Sequence, residues 1–586
     1  MPPTAFLAGW SNPDRFSFWL AIALAVLAIG LRRSRRAPLL IGAAVVAVVA
    51  AVAAFSPQFD LVGWHGFMRG STIFRLVDGA GLPPEDPLFA GGTLRYPWAQ
   101  DWLLATLARA TSLSPHLLDI GLELVLFAGF LAAGAWLAAL VTEDREVIAL
   151  AVLFTAFGVS AFHGGFVQDA VGRAFPWLSL ETRAVPLDKF ASITAMPPGY
   201  LAMLVAAAAG VAMVCRPVST RTMALVIALC TLVAALMHPL SWAGVLVFEG
   251  VVAMALVLRA RDADLSRLGW LGAAVMLPSL AALPYLNSIG VSESSDGWSG
   301  LTSPASLLTI KAWDLCLFVA PLLLLAYVCR NRLLQLLEDG NRALALLVAA
   351  MAAMAAAYLA IRFPGRNEYK FLLFLAPCAA VPFALCVREL LDRHLALGFL
   401  VIVLTLLPGA RALGYRPWFL VTDPCRADGP SLRSLHPELD DLYQWIANET
   451  PRDAVFIAAD LRVPPLGRRP LYIPVQTPWI GRDGWGLGRE QLLQWHVRRP
   501  DTVMWQRQHL ATLMLDANFE DESAASVIAA IESDIGGRPL FVHERIPRLA
   551  ALLERTPGFR LAFRNAFGSV YAVSQPPPEA AQEVRR

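Results

Sequence analysis

Long apolar runs dominate the chain, and their length is the first clue to its fold. The hydrocarbon core of a bilayer, about 30 Å thick, takes about 20 apolar residues per helix. Runs of that kind lie at 16–31, 38–55, 118–141, 147–163, 198–215, 222–237, 241–258, 268–286, 312–329, 342–361, 371–387 and 394–411. They predict about twelve transmembrane helices. Residues 56–117 interrupt the series with a long polar loop. Beyond residue 412 the pattern changes. Helical periodicity at Asp440–Asn448, Ala524–Ile535 and Arg548–Glu554 alternates there with short β-type runs at Ala454–Ala458, Pro470–Pro474, Leu540–His543 and Ser569–Val573. About 145 residues can bury a core of their own, so this stretch predicts a small α/β domain. The expected fold class is a polytopic α-helical membrane protein of about 12 transmembrane helices with a C-terminal extracytoplasmic α/β domain. The expected domains are a transmembrane region over 1–413 that includes the long loop 56–117, an α/β domain over 414–574 and a disordered tail over 575–586.

Orientation follows from arginine. Arg32-Arg33-Ser34-Arg35-Arg36 comes after the first apolar run, not before it, so that run does not read as a cleaved signal peptide. With this cluster on the cytoplasmic side, the same side collects Arg216 and Arg221, then Arg259, Arg261 and Arg267, then Arg330 and Arg332, then Arg388 and Arg393. Cytoplasmic loops are enriched in basic residues, and the alternation holds through every predicted span. The long loop and everything after residue 412 then face outward, which in a bacterial inner membrane is the periplasm.

Composition agrees with this picture. The chain is 57% hydrophobic and 16% charged, against about 25% charged in ordinary soluble domains. A net charge of +2 gives no reason to expect nucleic acid as a partner. Of the seven cysteines, all but Cys425 lie in or beside apolar runs, and no metal-ligand or CxxC spacing occurs. Arginine supplies nearly all the basic charge, as in a GC-rich genome. The three lysines, Lys189, Lys311 and Lys370, all fall at outward helix boundaries.

Polar residues avoid the spans. Glu249 is the clear exception, and one carboxylate is weak support for a proton path. The first outer loop is the richest polar stretch. Asp60 follows the second run, His65 and Arg69 lie one helical turn apart on one face, and Gly81-Leu82-Pro83-Pro84-Glu85-Asp86-Pro87 and Tyr96-Pro97-Trp98 come next. Residues 102–112 read as an amphipathic helix lying on the membrane surface.

A carboxylate directly after an early span, a His/Arg-bearing helix, a G-x-P-x-x-D-P turn and a Tyr-Pro pair resemble the first periplasmic loop of the GT-C glycosyltransferases. The segment Leu442-Tyr443-Gln444-Trp445-Ile446-Ala447-Asn448-Glu449-Thr450-Pro451-Arg452-Asp453-Ala454-Val455 is similar to the entry into their soluble domains. The oligosaccharyltransferase branch follows that helix with a WWDYG-type motif. Here Ile457-Ala458-Ala459-Asp460-Leu461-Arg462 stands instead, which disfavours transfer to asparagine.

The resemblance implies a membrane enzyme that takes sugar from a polyprenyl-phosphate carrier and passes it to a glycan or lipid acceptor, among membrane lipids, in cell-envelope assembly. Asp60 matches the family's first-loop catalytic Asp as general base; the competing reading is a helix cap. Substrate contacts would come from His65, Arg69, Asp86 and Tyr96. Arg366 and Lys370, in Pro364-Gly365-Arg366-Asn367-Glu368-Tyr369-Lys370, would meet the carrier phosphate, against the plainer reading of snorkelling cations. No unambiguous catalytic Asp-x-Asp motif is evident, so a divalent cation is left open as cofactor. His163 and His238, at outward helix ends, more often bond a freed carbonyl than hold metal. Gly481-Arg482-Asp483-Gly484-Trp485-Gly486-Leu487-Gly488 lacks the context of a nucleotide-binding loop. A non-catalytic carrier-binding scaffold of the same fold is the alternative. A transporter is disfavoured by the nearly bare spans.

Overall fold

The structure is a computed structural model. It describes residues 13–55, 64–94, 96–113, 115–160, 185–190, 195–259, 262–289, 300–307, 311–422, 437–460, 462–473, 503–516 and 524–574. Each apolar run falls on a helix: Pro13–Leu31, Ala37–Phe55, Pro115–Val141, Arg145–Phe157, Met196–Cys215, Thr220–Met237, Pro239–Arg259, Asp262–Ser288, Ala312–Val328, Arg342–Ala360, Lys370–Arg393 and Leu395–Thr422. Among the described residues, eight helices are long and apolar enough to cross a membrane. A ninth results if Ala312–Val328 and Arg330–Glu338, bent by 80°, count as one span. Arg15–Leu31 and Ala37–Val52 are apolar but shorter. The run at 147–163 stops being helical at Phe157, where Gly158 takes a left-handed φ of 88° that a side chain would disfavour.

The chain divides into two compact units. The first holds residues 1–59 and 120–424. At its centre lies Lys370–Arg393, whose residues from Phe371 to Val387 are all buried. A helix that is apolar on every side belongs inside a bundle. Its neighbours include Arg145–Phe157, Arg342–Ala360, Ala312–Val328 and Leu395–Thr422. Pro377 and Pro382 interrupt its hydrogen-bond ladder. Pro377 has no N–H to give the Leu373 carbonyl, and the buried Tyr200 hydroxyl of Met196–Cys215 donates to that oxygen instead.

Glycines let helices close in. A Cβ at Gly244 would stand 2.8 Å from the Phe374 ring, and one at Gly210 would stand 2.6 Å from the Glu249 carboxylate. Glu249 is thus packed against the facing helix, and both its oxygens lack a partner among the described residues. At helix ends the orphan backbone groups are capped. Asn341 accepts from the Leu344 N–H at 3.0 Å and donates to the last carbonyl of Pro115–Val141 at 2.8 Å, so it closes two helices at once.

The second unit joins residues 60–119 to residues 425–586, so the first long loop groups with the C-terminal segment. A four-stranded sheet forms its middle, in the order Val455–Ala458, Leu540–Glu544, Gly568–Val573, Phe559–Asn565. The first pair is parallel, with Val455 opposite Leu540, and the other two are antiparallel. Phe559–Asn565 escapes a strand reading because Arg560 and Arg564 break up its apolar pattern. The 470–474 segment contributes only an isolated bridge, Phe456 to Leu471. Helices Pro437–Glu449, Val503–Asp516 and Ala524–Asp534 complete two hydrophobic clusters.

The loop enters both clusters with consecutive residues. Phe89 joins the one around Val455, Ile457 and Val527, and Leu88 joins the one around Leu442, Ile446 and Phe456. Backbone bonds fix that insertion: the Ala90 N–H donates to the Leu471 carbonyl at 2.8 Å, and the Leu471 N–H donates to the Pro87 carbonyl at 2.9 Å. The Gly-rich segment 481–488 and residues 575–586 lie outside the described residues.

Two stability predictions follow the packing. Tyr200→Phe leaves the Leu373 carbonyl unsatisfied and should cost about 1–3 kcal/mol, read as a lowered melting temperature in detergent. Leu88→Ala should destabilise the second unit by about 2–5 kcal/mol. Faster limited proteolysis within residues 425–586 checks it, and unchanged proteolysis would contradict the grouping of loop and domain.

Candidate active site

In the first unit, three long helices begin at one corner. Met196–Cys215, Pro239–Arg259 and Lys370–Arg393 bring their N-terminal ends together around His238. A Cβ at Gly199 would lie 2.7 Å from the His238 Cβ, so Pro197-Pro198-Gly199 admits the imidazole only because residue 199 has no side chain. Lys370 Nζ stands 3.0 Å from His238 Nε2, and His238 Nδ1 stands 2.8 Å from Ser241 Oγ. An ammonium only donates, so Nε2 accepts from Lys370, while the Ser241 N–H and hydroxyl both stand within hydrogen-bond distance of Nδ1, at 3.1 and 2.8 Å. The same Ser241 N–H also donates to the His238 carbonyl at 2.8 Å, at the start of the Pro239–Arg259 helix.

Lys189 comes to the same region from a distant part of the chain. It sits on the short helix Pro186–Phe190, pairs with Asp188 at 3.0 Å and lies over the Tyr369 ring at 5.3 Å. Its neighbour Phe190 anchors it. That ring packs 4.8 Å from Phe130 and 5.2 Å from Phe127, while Phe130 packs at a tilt 4.5 Å from Tyr200. Aromatic contacts of this kind add to area burial. Lys370 and three helix N-termini favour an anion at this corner, with Lys189 beside them in an ion pair with Asp188.

Lys311 is placed differently. Its Nζ donates to Thr302 Oγ1 at 2.8 Å, to the Tyr358 carbonyl at 2.9 Å and to the Ile361 carbonyl, and pairs with Glu368 at 3.3 Å. Glu368 in turn accepts from the Phe363 N–H at 3.0 Å. Gly300–Leu301 pairs antiparallel with Ile361–Arg362 beside it.

In the second unit, Arg69 has 0% exposure. It bonds Asp101 at 2.9 Å and Asp119 at 3.3 Å, tying Trp64–Val77 to Ala99–Thr111 and to the start of Pro115–Val141. Ala99–Thr111 exposes Trp102 and Leu107 but buries Gln100 and Asp101, so its hidden face is polar at its start. Burial pushes the Asp101 carboxyl up; Arg69 opposes this and Asp119 adds to it, leaving the value at about 7.

Glu85 of the Gly-x-Pro turn receives Arg75, Arg538 and the Gly91 N–H. Burial works to raise it, but the arginines and that N–H outweigh burial and hold its carboxyl below the usual range. Asp86 is buried and accepts from the Leu88 N–H at 2.9 Å. That turn therefore shapes the loop. Arg507 locks its far side, donating to the Ala90 carbonyl at 2.7 Å and the Tyr472 carbonyl at 3.1 Å.

A second buried group sits at the end of the parallel strands. Arg462 grips Asp460 at 3.0 and 3.1 Å, and the Tyr443 hydroxyl donates to the same carboxylate. Burial would raise Asp460, yet Arg462, His543 and Tyr443 together hold it well below the usual range. His543 is pushed down to about 4, chiefly by burial.

The expected site residues distribute as follows. Asp60 and His163 lie outside the described residues. His65 falls on Trp64–Val77, and Tyr96 is half-buried ahead of Ala99–Thr111. Arg366 lies on the 3-10 turn Pro364–Tyr369 that leads into Lys370. Lys189, not among the site residues expected from the sequence, lies beside the same corner. The signal in the sequence is its rarity, one of three lysines. No group of side chains able to hold a metal ion occurs among the described residues.

Comparison with solved structures gives ArnT from Cupriavidus metallidurans. Its crystal structure bound to undecaprenyl phosphate matches 93% of this chain and 100% of that chain at 13% identity, with a TM-score of 0.52. Its apo structure matches 92% and 99% at 14% identity, with a TM-score of 0.49. The fold is of GT-C type. No family model matches the sequence, and no curated protein matches it.

The Asp101 value sets a pH dependence. An ordinary carboxyl titrates at 3.8 and this one at about 7, so the folded state binds the extra proton. Its contribution is full below about pH 4 and is lost as pH rises through about 7. Asp101→Asn should flatten that decline in melting temperature between pH 5 and 8. An unchanged slope would contradict the assignment.

Proposed function

We propose that the protein is a membrane glycosyltransferase that moves a sugar from a polyprenyl-phosphate carrier to a glycan or lipid acceptor at the periplasmic face of a bacterial inner membrane. The observation that carries this reading is the meeting of three helix N-termini with Lys370, His238 and Lys189 in one corner of a GT-C fold. The crystallised neighbour of that fold binds undecaprenyl phosphate, which supports a carrier of the same chemistry here.

In the reaction, an acceptor hydroxyl attacks the anomeric carbon, the bond from that carbon to the carrier phosphate breaks, and the hydroxyl proton passes to a base. A phosphodiester with one negative charge becomes a monoester with nearly two near neutral pH. The lysine corner meets the charge that develops. Lys370 and Arg366 serve as phosphate cations, with Lys189 beside them. Asp60 is the general base, a role typically worth about 10²–10⁴-fold. His65 and Tyr96 contact substrate, while Arg69 and Asp86 hold the loop in shape. The arginine-rich loops support a cytoplasmic side opposite this corner.

Purified protein with a panel of polyprenyl-phosphate sugars tests the reading. Asp60→Asn should reduce transfer at least about 10²-fold with the melting temperature retained, and Lys370→Met should weaken undecaprenyl phosphate binding. Binding without product across the whole panel would overturn the enzymatic reading in favour of a carrier-binding scaffold. Full turnover by the Asp60 variant would remove that residue from the base role.

A further inference from the structure

Three lysines lie near one another in the first unit, and their surroundings assign them different work. Lys311 is 2% exposed. An ammonium has three N–H bonds, and Thr302 Oγ1, the Tyr358 carbonyl and the Ile361 carbonyl receive all three. Two of those acceptors are carbonyls at the C-terminal end of Arg342–Ala360, where a helix leaves oxygens unpaired and favours a cation. Glu368 Oε1 adds the counter-charge at 3.3 Å, and its other oxygen takes the Phe363 N–H at 3.0 Å. Lys311 therefore grips the turn 361–369 at its entrance through Ile361 and near its exit through Glu368. Two residues beyond Glu368, Lys370 opens the central helix. Arg366 lies inside the gripped turn.

From this geometry we infer that Lys311 is a positioning residue: with Glu368 it fixes the turn that presents Lys370 and Arg366, and it does not itself contact the carrier phosphate. The inference rests on the reading of Lys370 as a phosphate cation. It makes the affinity of the site depend on a carboxylate that, taken alone, should repel an anion.

That reversal of sign supplies the test. If Lys311 were a phosphate ligand, Glu368→Gln would release its charge, and binding would hold or tighten. If Lys311 and Glu368 form a clamp, Glu368→Gln should weaken binding as Lys311→Met does, by about tenfold to a hundredfold, the scale on which small misplacements act. The measurement is the Kd of undecaprenyl phosphate for the full-length protein in detergent, at several salt concentrations, for wild type, Lys311→Met, Glu368→Gln and Lys370→Met. Lys370→Met should reduce the salt dependence of Kd because it removes a contacting charge. Neither clamp variant should reduce it. Melting temperatures identify variants that do not fold, and if Lys311→Met is one of them the direction of the Glu368→Gln effect decides. A Glu368→Gln protein that binds as well as wild type or better overturns the inference while leaving Lys370 in place. A wild-type protein without affinity for the probe overturns the carrier-binding reading itself.

Discussion

The first unit depends on burying one helix completely. From Phe371 to Val387, Lys370–Arg393 is apolar around its whole circumference and buried, so neighbouring helices enclose it. Enclosure imposes two conditions. Its prolines free a carbonyl that another helix must satisfy, which Tyr200 does. Its charged first residue must stop where the bundle opens, because an ammonium in the hydrocarbon core is costly. The start of the central helix thus fixes the height of Lys370. The same packing, through Phe190 and Tyr200, brings Lys189 to the adjoining Tyr369 ring.

The second unit meets a different constraint. A sheet of four short strands needs both faces covered, and the helices around it leave part of that surface to Leu88 and Phe89 of the distant loop. The loop's charged residues follow from this docking. Glu85 sits between Arg75 and Arg538, and Arg69 between Asp101 and Asp119. Buried charges persist only when paired and hydrogen-bonded, so these arginines and carboxylates define a register for the loop. They stabilise one arrangement and penalise others. Asp101 is the weak member, since a single arginine shared by two acids leaves one of its oxygens without a partner among the described residues.

Much of the fold was legible in order. Apolar runs of bilayer length gave the long helices of the first unit, because lipid forces backbone groups to satisfy one another locally and the pattern is local too. The helices Pro437–Glu449 and Ala524–Asp534 and the strands Val455–Ala458, Leu540–Glu544 and Gly568–Val573 were readable for the same reason. Phe559–Asn565 was not. Its pairing with Gly568–Val573 outweighs a pattern that its arginines obscure. For the candidate site, Lys370 was visible from its place at a span boundary, while Lys189 and His238 had no shared spacing to reveal them.

By itself, then, the sequence determined the order of the apolar helices, the loops in which arginine collects, and the α/β character of the C-terminal segment. Each of these depends on interactions between residues near one another in the chain or on partition between water and lipid. Only the tertiary structure decided which partners each charge meets. Lys311 and Lys370 occupy equivalent boundaries in the sequence, yet one has its three donors taken by Thr302, Tyr358 and Ile361 and the other opens the central helix beside His238. Likewise Arg69, one turn from His65, is withdrawn between two acids. A side chain's role follows from the partners that packing brings to it, and those partners lie tens to hundreds of residues away, where no local pattern records them.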